Sequence, residues 1–177
     1  MTPEFHRPRA QASLATAGET VAIAARHGER AALARRFALP AIAHFAARFH
    51  LLPAIDGSVL AEARLVARFT QICVVSLTPF SATIAAPFTV RFVPAGRESE
   101  GDDPEAVDTI GVTAGMLDLG EAAAEQFALL LDPYPRLPGA TLPAAFAAPL
   151  DAGPPDAGPP DAGPAHPFSA LAARLRR

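Results

Sequence analysis

The stretch from Phe80 to Phe92 constrains the fold of this chain more than any other, because it alternates without interruption. Every second residue is apolar, and the residues between them are mostly small or polar. The apolar set comprises Phe80, Ala82, Ile84, Ala86, Phe88, Val90 and Phe92. A period of two places the sets on opposite faces, so this segment predicts a strand with one buried face. Pro87 falls in the exposed set and cannot donate to a ladder, which indicates a sheet edge or a bulge.

Two earlier segments, Ala41 to Leu52 and Val59 to Phe69, show the same period and predict an antiparallel hairpin. The residues between them include an Asp-Gly dipeptide, which is typical of a turn. Facing residues of an antiparallel pair point to the same side, so Phe49 must lie opposite Ala63 or Leu65 to keep the apolar sets together. That match requires a loop of three or five residues, in which the glycine adopts a positive φ.

Basic side chains share the opposite face of these three predicted strands. By parity that face carries His44, Arg48, His50, Arg64, Arg68 and Arg91. Guanidinium groups suit phosphate oxygens, so this face is a candidate contact surface for RNA. It holds no aromatic side chain that would stack on bases. The alternative interpretation is the ordinary solvated side of a one-sided sheet.

The remaining patterns predict an α+β domain over residues 1–139. We expect strands at residues 20–25, 71–77 and 107–113, and helices at residues 29–37 and 118–131. Asp118 and Glu121 form a capping-box arrangement at the start of the second helix. Its apolar stripe comprises Leu119, Ala122, Ala123, Phe127 and Leu130. The predicted fold is therefore an antiparallel meander with one or two helices packed on one face.

A disordered linker rich in Pro, Ala and Gly is predicted over residues 140–165, where the five-residue repeat DAGPP appears. Small residues and Pro cannot bury enough apolar area to offset the entropy of ordering. A basic amphipathic motif over residues 166–177 ends the chain and predicts a short C-terminal helix that orders when docked. Its candidate contact residues are Phe168, Leu171, Arg174, Arg176 and Arg177.

The composition limits the possible functions. All 15 basic residues are Arg, and a single Cys excludes an internal disulfide framework. Net charge is +6 over residues 1–97, −12 over residues 98–165 and +3 over the last twelve residues, which points to a polyanion partner, an electrostatic self-contact or uneven surface decoration. The N-terminus lacks an apolar signal region and no apolar run is long enough to span a membrane, so we expect a cytoplasmic protein.

Catalytic motifs do not stand out in this sequence. We find no nucleotide-binding, hydrolase or metalloprotease signature, and Cys73 has the inward parity of a small core residue. We therefore predict no enzyme activity, no cofactor, no metal and no small-molecule substrate. A small enzyme with a pocket that is invisible in sequence stays an alternative.

Several stretches, in this order, resemble one bacterial family. Residues 3–8 read PEFHRP, residues 71–80 read QICVVSLTPF, residues 117–121 read LDLGE, residues 132–135 read DPYP, and residues 166–172 read HPFSALA. They are similar to the YceD family, the large ribosomal RNA subunit accumulation proteins. Where many relatives have a second Cys this chain has Ser76, so a metal or redox role for that pair does not transfer.

The resemblance implies a role in accumulation of 23S-type rRNA and in assembly of the large ribosomal subunit. We expect the chain to bind rRNA, a pre-ribosomal particle or a ribosomal protein. The predicted contact residues are Arg48, Arg64, Arg68, Arg91, Phe168, Leu171, Arg174, Arg176 and Arg177. A protein-interaction adaptor that uses only the C-terminal helix is the main alternative, and salt dependence of binding distinguishes the two.

Overall fold

The computed structural model describes residues 3–97 and 107–141, and five strands of this part form one sheet. The sheet contains, as neighbours in this order, β2 (Glu19–Ala24), β3 (Ala41–Pro53), β4 (Val59–Ile72), β5 (Pro79–Pro94) and β6 (Asp108–Val112). The first four strands are antiparallel, which confirms the predicted meander. β6 departs from it, because it runs parallel to the end of β5.

A second sheet has two strands. It pairs β1 (Pro8–Ala10), near the start of the chain, with β7 (Met116–Asp118), which leads directly into a helix. The helices are α1 (His27–Arg36) and α2 (Leu119–Leu130), and a short 3-10 turn spans Gln11–Ser13. The described elements therefore make an α+β fold, as predicted.

The hairpin of β3 and β4 has one of the two predicted registers and the longer of the two predicted loops. Phe49 lies opposite Ala63, and the last pair before the loop joins Pro53 to Val59. This leaves a loop of five residues, in which Gly57 has a φ of +79°. Both features follow from keeping the apolar side chains of the two strands on one face.

The buried face of the sheet packs around the ring of Phe127 from α2. This ring makes edge-to-face contacts with Phe37, Phe45 and Phe69 at centroid distances of 5.2, 5.3 and 5.1 Å. Such pairs add to the free energy of burying each ring. The predicted stripe of α2 is buried except for Leu130, which is 39% exposed. The prediction was wrong for Leu130 alone, because α2 ends at this residue.

Asp118 caps α2 through its carboxylate. One oxygen accepts hydrogen bonds from the amides of Gly120 and Glu121, at 3.0 and 3.2 Å, and from the amide of Arg7 at 2.9 Å. The reciprocal half of the predicted capping box is replaced by an ion pair, because the Glu121 carboxylate accepts two hydrogen bonds from Arg36 at 2.6 and 2.9 Å. The cap thus also fastens the N-terminal arm to α2.

The N-terminal arm belongs to the core, which the sequence patterns do not predict. Phe5 is fully buried, and its ring meets that of Phe45 at 5.5 Å. The arm passes so close to α2 that a Cβ atom on Gly120 would lie 1.9 Å from the carbonyl oxygen of Phe5. Arg7 then forms a two-pronged ion pair with Glu29 of α1, at 2.7 and 2.8 Å.

Residues 71–77 were predicted as a strand, and beyond Ile72 that prediction is wrong. β4 ends at Ile72, and the chain then turns back, with the amide of Leu77 donating to the carbonyl of Cys73 at 2.8 Å. Leu77 has a φ of +55°, and its side chain is 75% exposed. An apolar run without alternation does not by itself distinguish a strand from a loop.

The first part of β5 forms a sheet edge. β6 pairs only with Val90–Pro94, so within the described residues the stretch around Pro87 has a strand on one side only. This confirms the predicted edge. The predicted linker, residues 140–165, lies outside the described residues except for its first two, and the predicted motif of residues 166–177 lies wholly outside them.

Candidate nucleic-acid interface

The face of the sheet turned away from α2 is called here the open face. It carries the alternate residues of β2 to β5 whose neighbours are buried in the core. Antiparallel pairing sets these side chains in rows that run across the strands. All six basic side chains that parity assigned to this face lie on it: His44, Arg48, His50, Arg64, Arg68 and Arg91.

Two arginines stand side by side near the middle of the open face. Arg48 of β3 lies directly opposite Arg64 of β4, and both are exposed. Side chains in such a pair start about 5 Å apart, and like charges in this position disfavour the sheet. Neither guanidinium makes a hydrogen bond or an ion pair with any residue that the structure describes. Fold stability therefore gives no reason for this pair.

A second basic row lies further along the same strands. Arg68 of β4 is directly opposite His44 of β3. Because Arg68 is four positions from Arg64, the two rows are about 13 Å apart. The Arg68 guanidinium is exposed and likewise makes no hydrogen bond or ion pair within the described part of the chain.

Between these rows lies a line of small apolar side chains. Ala24, Ala46, Val66 and Ala85 follow one another across four neighbouring strands. The first three form the floor of a depression of about 450 Å³, which Ala22, His44, Arg48 and Arg64 also line. We call this feature the trough. Sequence parity did not reveal it, because parity assigns a face and leaves the alignment across strands open until the loop length is known.

Arg91 lies on the same face but apart from the trough. It is opposite Leu60, so its row is four positions along β4 from that of Arg64. Its guanidinium donates to the hydroxyl of Ser58 at 3.4 Å. Hydrogen bonds from Ser58 lower the pKa of the Asp56 carboxyl, and the Arg91 charge adds to this effect. Arg91 thus has local partners, whereas Arg48, Arg64 and Arg68 have none among the described residues. We call these three the trough arginines.

Other arginines hold the fold together through acids. The pairs are Arg7 with Glu29, Arg9 with Glu19, and Arg36 with Glu4 and Glu121. The hydrogen bonds from Arg7 lower the pKa of Glu29 to about 2. These contacts connect the N-terminal arm and β1 to β2 and α1, and α1 to α2, so they are structural. Arg7, Arg9 and Arg36 are paired with acids, whereas Arg48, Arg64 and Arg68 have no acidic partner among the described residues.

The small-enzyme alternative would need a reactive site, and the His6–Asp118 contact is one place where the described residues bring titratable groups together. His6 Nδ1 and Asp118 Oδ2 are 2.5 Å apart at a cavity of about 480 Å³, but this carboxylate also caps α2. Burial raises the pKa of the nearby Glu125 carboxyl, and the charges of Glu121 and Asp118 add to the shift. In the described ranges, no three His, Cys, Asp or Glu side chains are placed to hold a metal ion.

Cys73 is buried, as its parity predicted. Its sulfur accepts hydrogen bonds from the amide of Leu137 at 3.3 Å and from the amide of Ser76 at 3.4 Å. These bonds lower the pKa of the thiol to about 7. The sulfur joins the loop after β4 to the segment that leaves α2, which is a structural role.

The described part of the chain is thus an α+β domain whose sheet presents a basic open face. A family model, described as large ribosomal RNA subunit accumulation protein YceD, matches residues 61–173. The chain belongs to the YceD family, which its motifs had indicated. No curated protein and no solved structure matches the chain significantly. Among the described residues no helix is long and apolar enough to cross a membrane.

Proposed function

We propose that this chain is a non-enzymatic factor for accumulation of 23S-type rRNA and assembly of the large ribosomal subunit, and that it contacts rRNA through its open face. The observation that carries the proposal is the set of three exposed guanidinium groups, on Arg48, Arg64 and Arg68, that lack partners in the described chain. Membership of a family named for rRNA accumulation supports phosphate as their ligand. Ribosome assembly would place this work in the cytoplasm.

The contacts divide into two groups in this proposal. The trough arginines bind phosphates directly, and Arg91 contributes at the margin of the same face. The C-terminal motif supplies a second contact to the pre-ribosomal particle or to a ribosomal protein, at the end of the linker. Its proposed residues are Phe168, Leu171, Arg174, Arg176 and Arg177. Neither contact requires a catalytic residue, a cofactor or a metal.

Crosslinking in cells, read out for both RNA and protein, tests this proposal. A variant with Arg48→Ala, Arg64→Ala and Arg68→Ala should lose its crosslinks to 23S-type rRNA, and cells that depend on it should accumulate less of that rRNA. The matched control removes the same charge from exposed arginines elsewhere, through Arg26→Ala, Arg35→Ala and Arg136→Ala. The control should behave as the intact chain does.

A chain that ends after Gly139 separates the RNA proposal from the adaptor alternative. Under the proposal it keeps crosslinks to rRNA through the open face and loses those that the C-terminal motif makes. If the intact chain crosslinks only to proteins, and truncation removes those crosslinks, the RNA contact is wrong and the adaptor is favoured. Crosslinks to rRNA that survive the triple substitution would place the RNA contact elsewhere.

A further inference from the structure

We infer that the trough binds a single-stranded segment of RNA, laid across the strands, rather than the backbone of a duplex. This inference rests on the proposed function and names the form of RNA that the open face takes. The trough has an apolar floor of alanine and valine side chains and basic rims on both sides. A ligand that fits it must be apolar along its middle and anionic along its edges.

A single strand of RNA has this character, because its bases and sugars can turn toward the floor while its phosphates reach the rims. The row of Arg48 and Arg64 borders one side of the trough, and the row of His44 and Arg68 borders the other. In a duplex the bases are paired inside the helix, so a duplex would press charged phosphates against Ala46 and Val66. Taking phosphates out of water against apolar groups is unfavourable.

The floor also explains how the trough would hold bases without aromatic side chains. Ala24, Ala46 and Val66 are small, so a flat base can lie on them without being stacked between rings. Contact of this kind carries little sequence information, because every base has an apolar face. We therefore expect weak sequence preference and binding that depends mainly on phosphates.

The number of basic groups at the rims sets the expected salt dependence. Three phosphate contacts on a single strand give a slope of about −2 for log K against log salt concentration. Each of Arg48→Ala, Arg64→Ala and Arg68→Ala should reduce that slope by about 0.7. Arg35→Ala is the matched control, because Arg35 is exposed on α1 and does not belong to the open face. It should leave the slope nearly unchanged.

A substitution that fills the trough without changing charge tests the floor. Ala46→Leu places a larger apolar side chain between the two rims, at a position that already faces away from the core. It should weaken binding of a single strand severalfold and leave the melting temperature of the domain close to that of the parent chain. If Ala46→Leu shows no melting transition and is therefore unfolded, Val66→Leu takes its place, because it fills the neighbouring position of the floor on β4.

Fluorescence anisotropy of the full chain with oligouridine of about twelve nucleotides, and with a duplex of the same length, provides the measurement. The inference predicts tighter binding of the single strand and its selective loss in Ala46→Leu. Equal or tighter binding of the duplex, or no effect of filling the trough, would overturn it. If the duplex binds and the triple arginine variant still loses rRNA crosslinks, the proposed function stands without the trough. If neither RNA binds, the RNA contact itself fails.

Discussion

At the scale of single residues, a few close contacts hold the two ends of the domain together. Gly120 allows the N-terminal arm to pass directly over α2, because a Cβ atom there would meet the carbonyl oxygen of Phe5. Glu29 receives the guanidinium of Arg7 and also accepts from the amide of Arg26 at 2.6 Å. One carboxylate therefore joins the arm to the first turn of α1.

Gly120→Ala should destabilise the domain by at least about 2 kcal/mol, because the obstructing atoms belong to backbone and cannot move aside cheaply. Urea unfolding, followed by circular dichroism, measures the change. Gly28→Ala in α1 is the matched control, since nothing lies within 4 Å of its added methyl group. The control should leave stability unchanged or raise it by up to about 1 kcal/mol. Equal effects of the two substitutions would contradict the close approach of arm and helix.

The Arg7–Glu29 pair should give the domain a characteristic stability in acid. Folding lowers the pKa of Glu29 from 4.5 to about 2, so the pair contributes fully above pH 4.5, and this contribution fades as pH falls toward 2. Glu29→Gln should lower the free energy of unfolding near neutral pH and flatten its pH dependence between those values. Glu62→Gln, at an exposed acid of the open face, serves as control. An unchanged pH profile in Glu29→Gln would argue against the pair.

At the scale of elements, the residue that caps α2 also holds the N-terminal arm against that helix. A single carboxylate, that of Asp118, accepts from two amides of the helix and from one amide of the arm. Loss of this cap therefore affects the start of the helix and the attachment of the arm together.

Asp118→Ala should destabilise the domain by about 1–2 kcal/mol, the cost of losing an N-cap. Asp118→Asn keeps the accepting oxygen and should recover most of that loss. Thermal unfolding of the two variants beside the parent chain measures both effects. A loss in Asp118→Asn as large as in Asp118→Ala would show that the negative charge, rather than the accepted hydrogen bonds, stabilises this helix end.

Alternation was a sound guide to the strands because each long strand has one face in the core. It predicted the faces of β3, β4 and β5 and limited the loop between β3 and β4 to three or five residues, of which the structure has five. Its predictions of facing and of strand length were wrong where the alternation is interrupted. The register shift between Ile42 and His44 turns Ile42 into the core against its parity. Residues 71–77 have no alternation, and hydrophobicity alone did not reveal their turn.

The candidate site was predicted in part. Parity identified the basic side chains of the open face, yet it treated Arg91 as equal to Arg64. Only the register shows that Arg91 lies four positions away, beside Ser58. The trough required the same information, because its floor is made by residues of three strands that are far apart in sequence.

At the scale of the whole molecule, the core extends beyond the segment that the family model matches. That match begins at residue 61, whereas Phe5, Phe45 and Phe49 are fully or almost fully buried and precede it. The aromatic cluster around Phe127 therefore depends on strands from both sides of this boundary.

A polypeptide of residues 61–173 should consequently fail to fold alone. It lacks β3, which pairs with β4 along nearly its whole length, and it lacks the arm that covers α2. Amide dispersion in a two-dimensional NMR spectrum distinguishes the outcomes, with the chain of residues 1–141 as the folded reference. Well-dispersed signals from the shorter polypeptide would show that β2, β3 and the arm are dispensable.

The pairing of β1 with β7 has a consequence for how the chain is made. β1 leaves the ribosome well before its partner, because Pro8 pairs with Asp118, more than a hundred residues later. In a nascent chain, Phe5 therefore cannot reach its buried position until α2 has emerged from the exit tunnel. Completion of the domain is then tied to late translation, and a stalled nascent chain that ends before Asp118 would expose an unfinished core to chaperones.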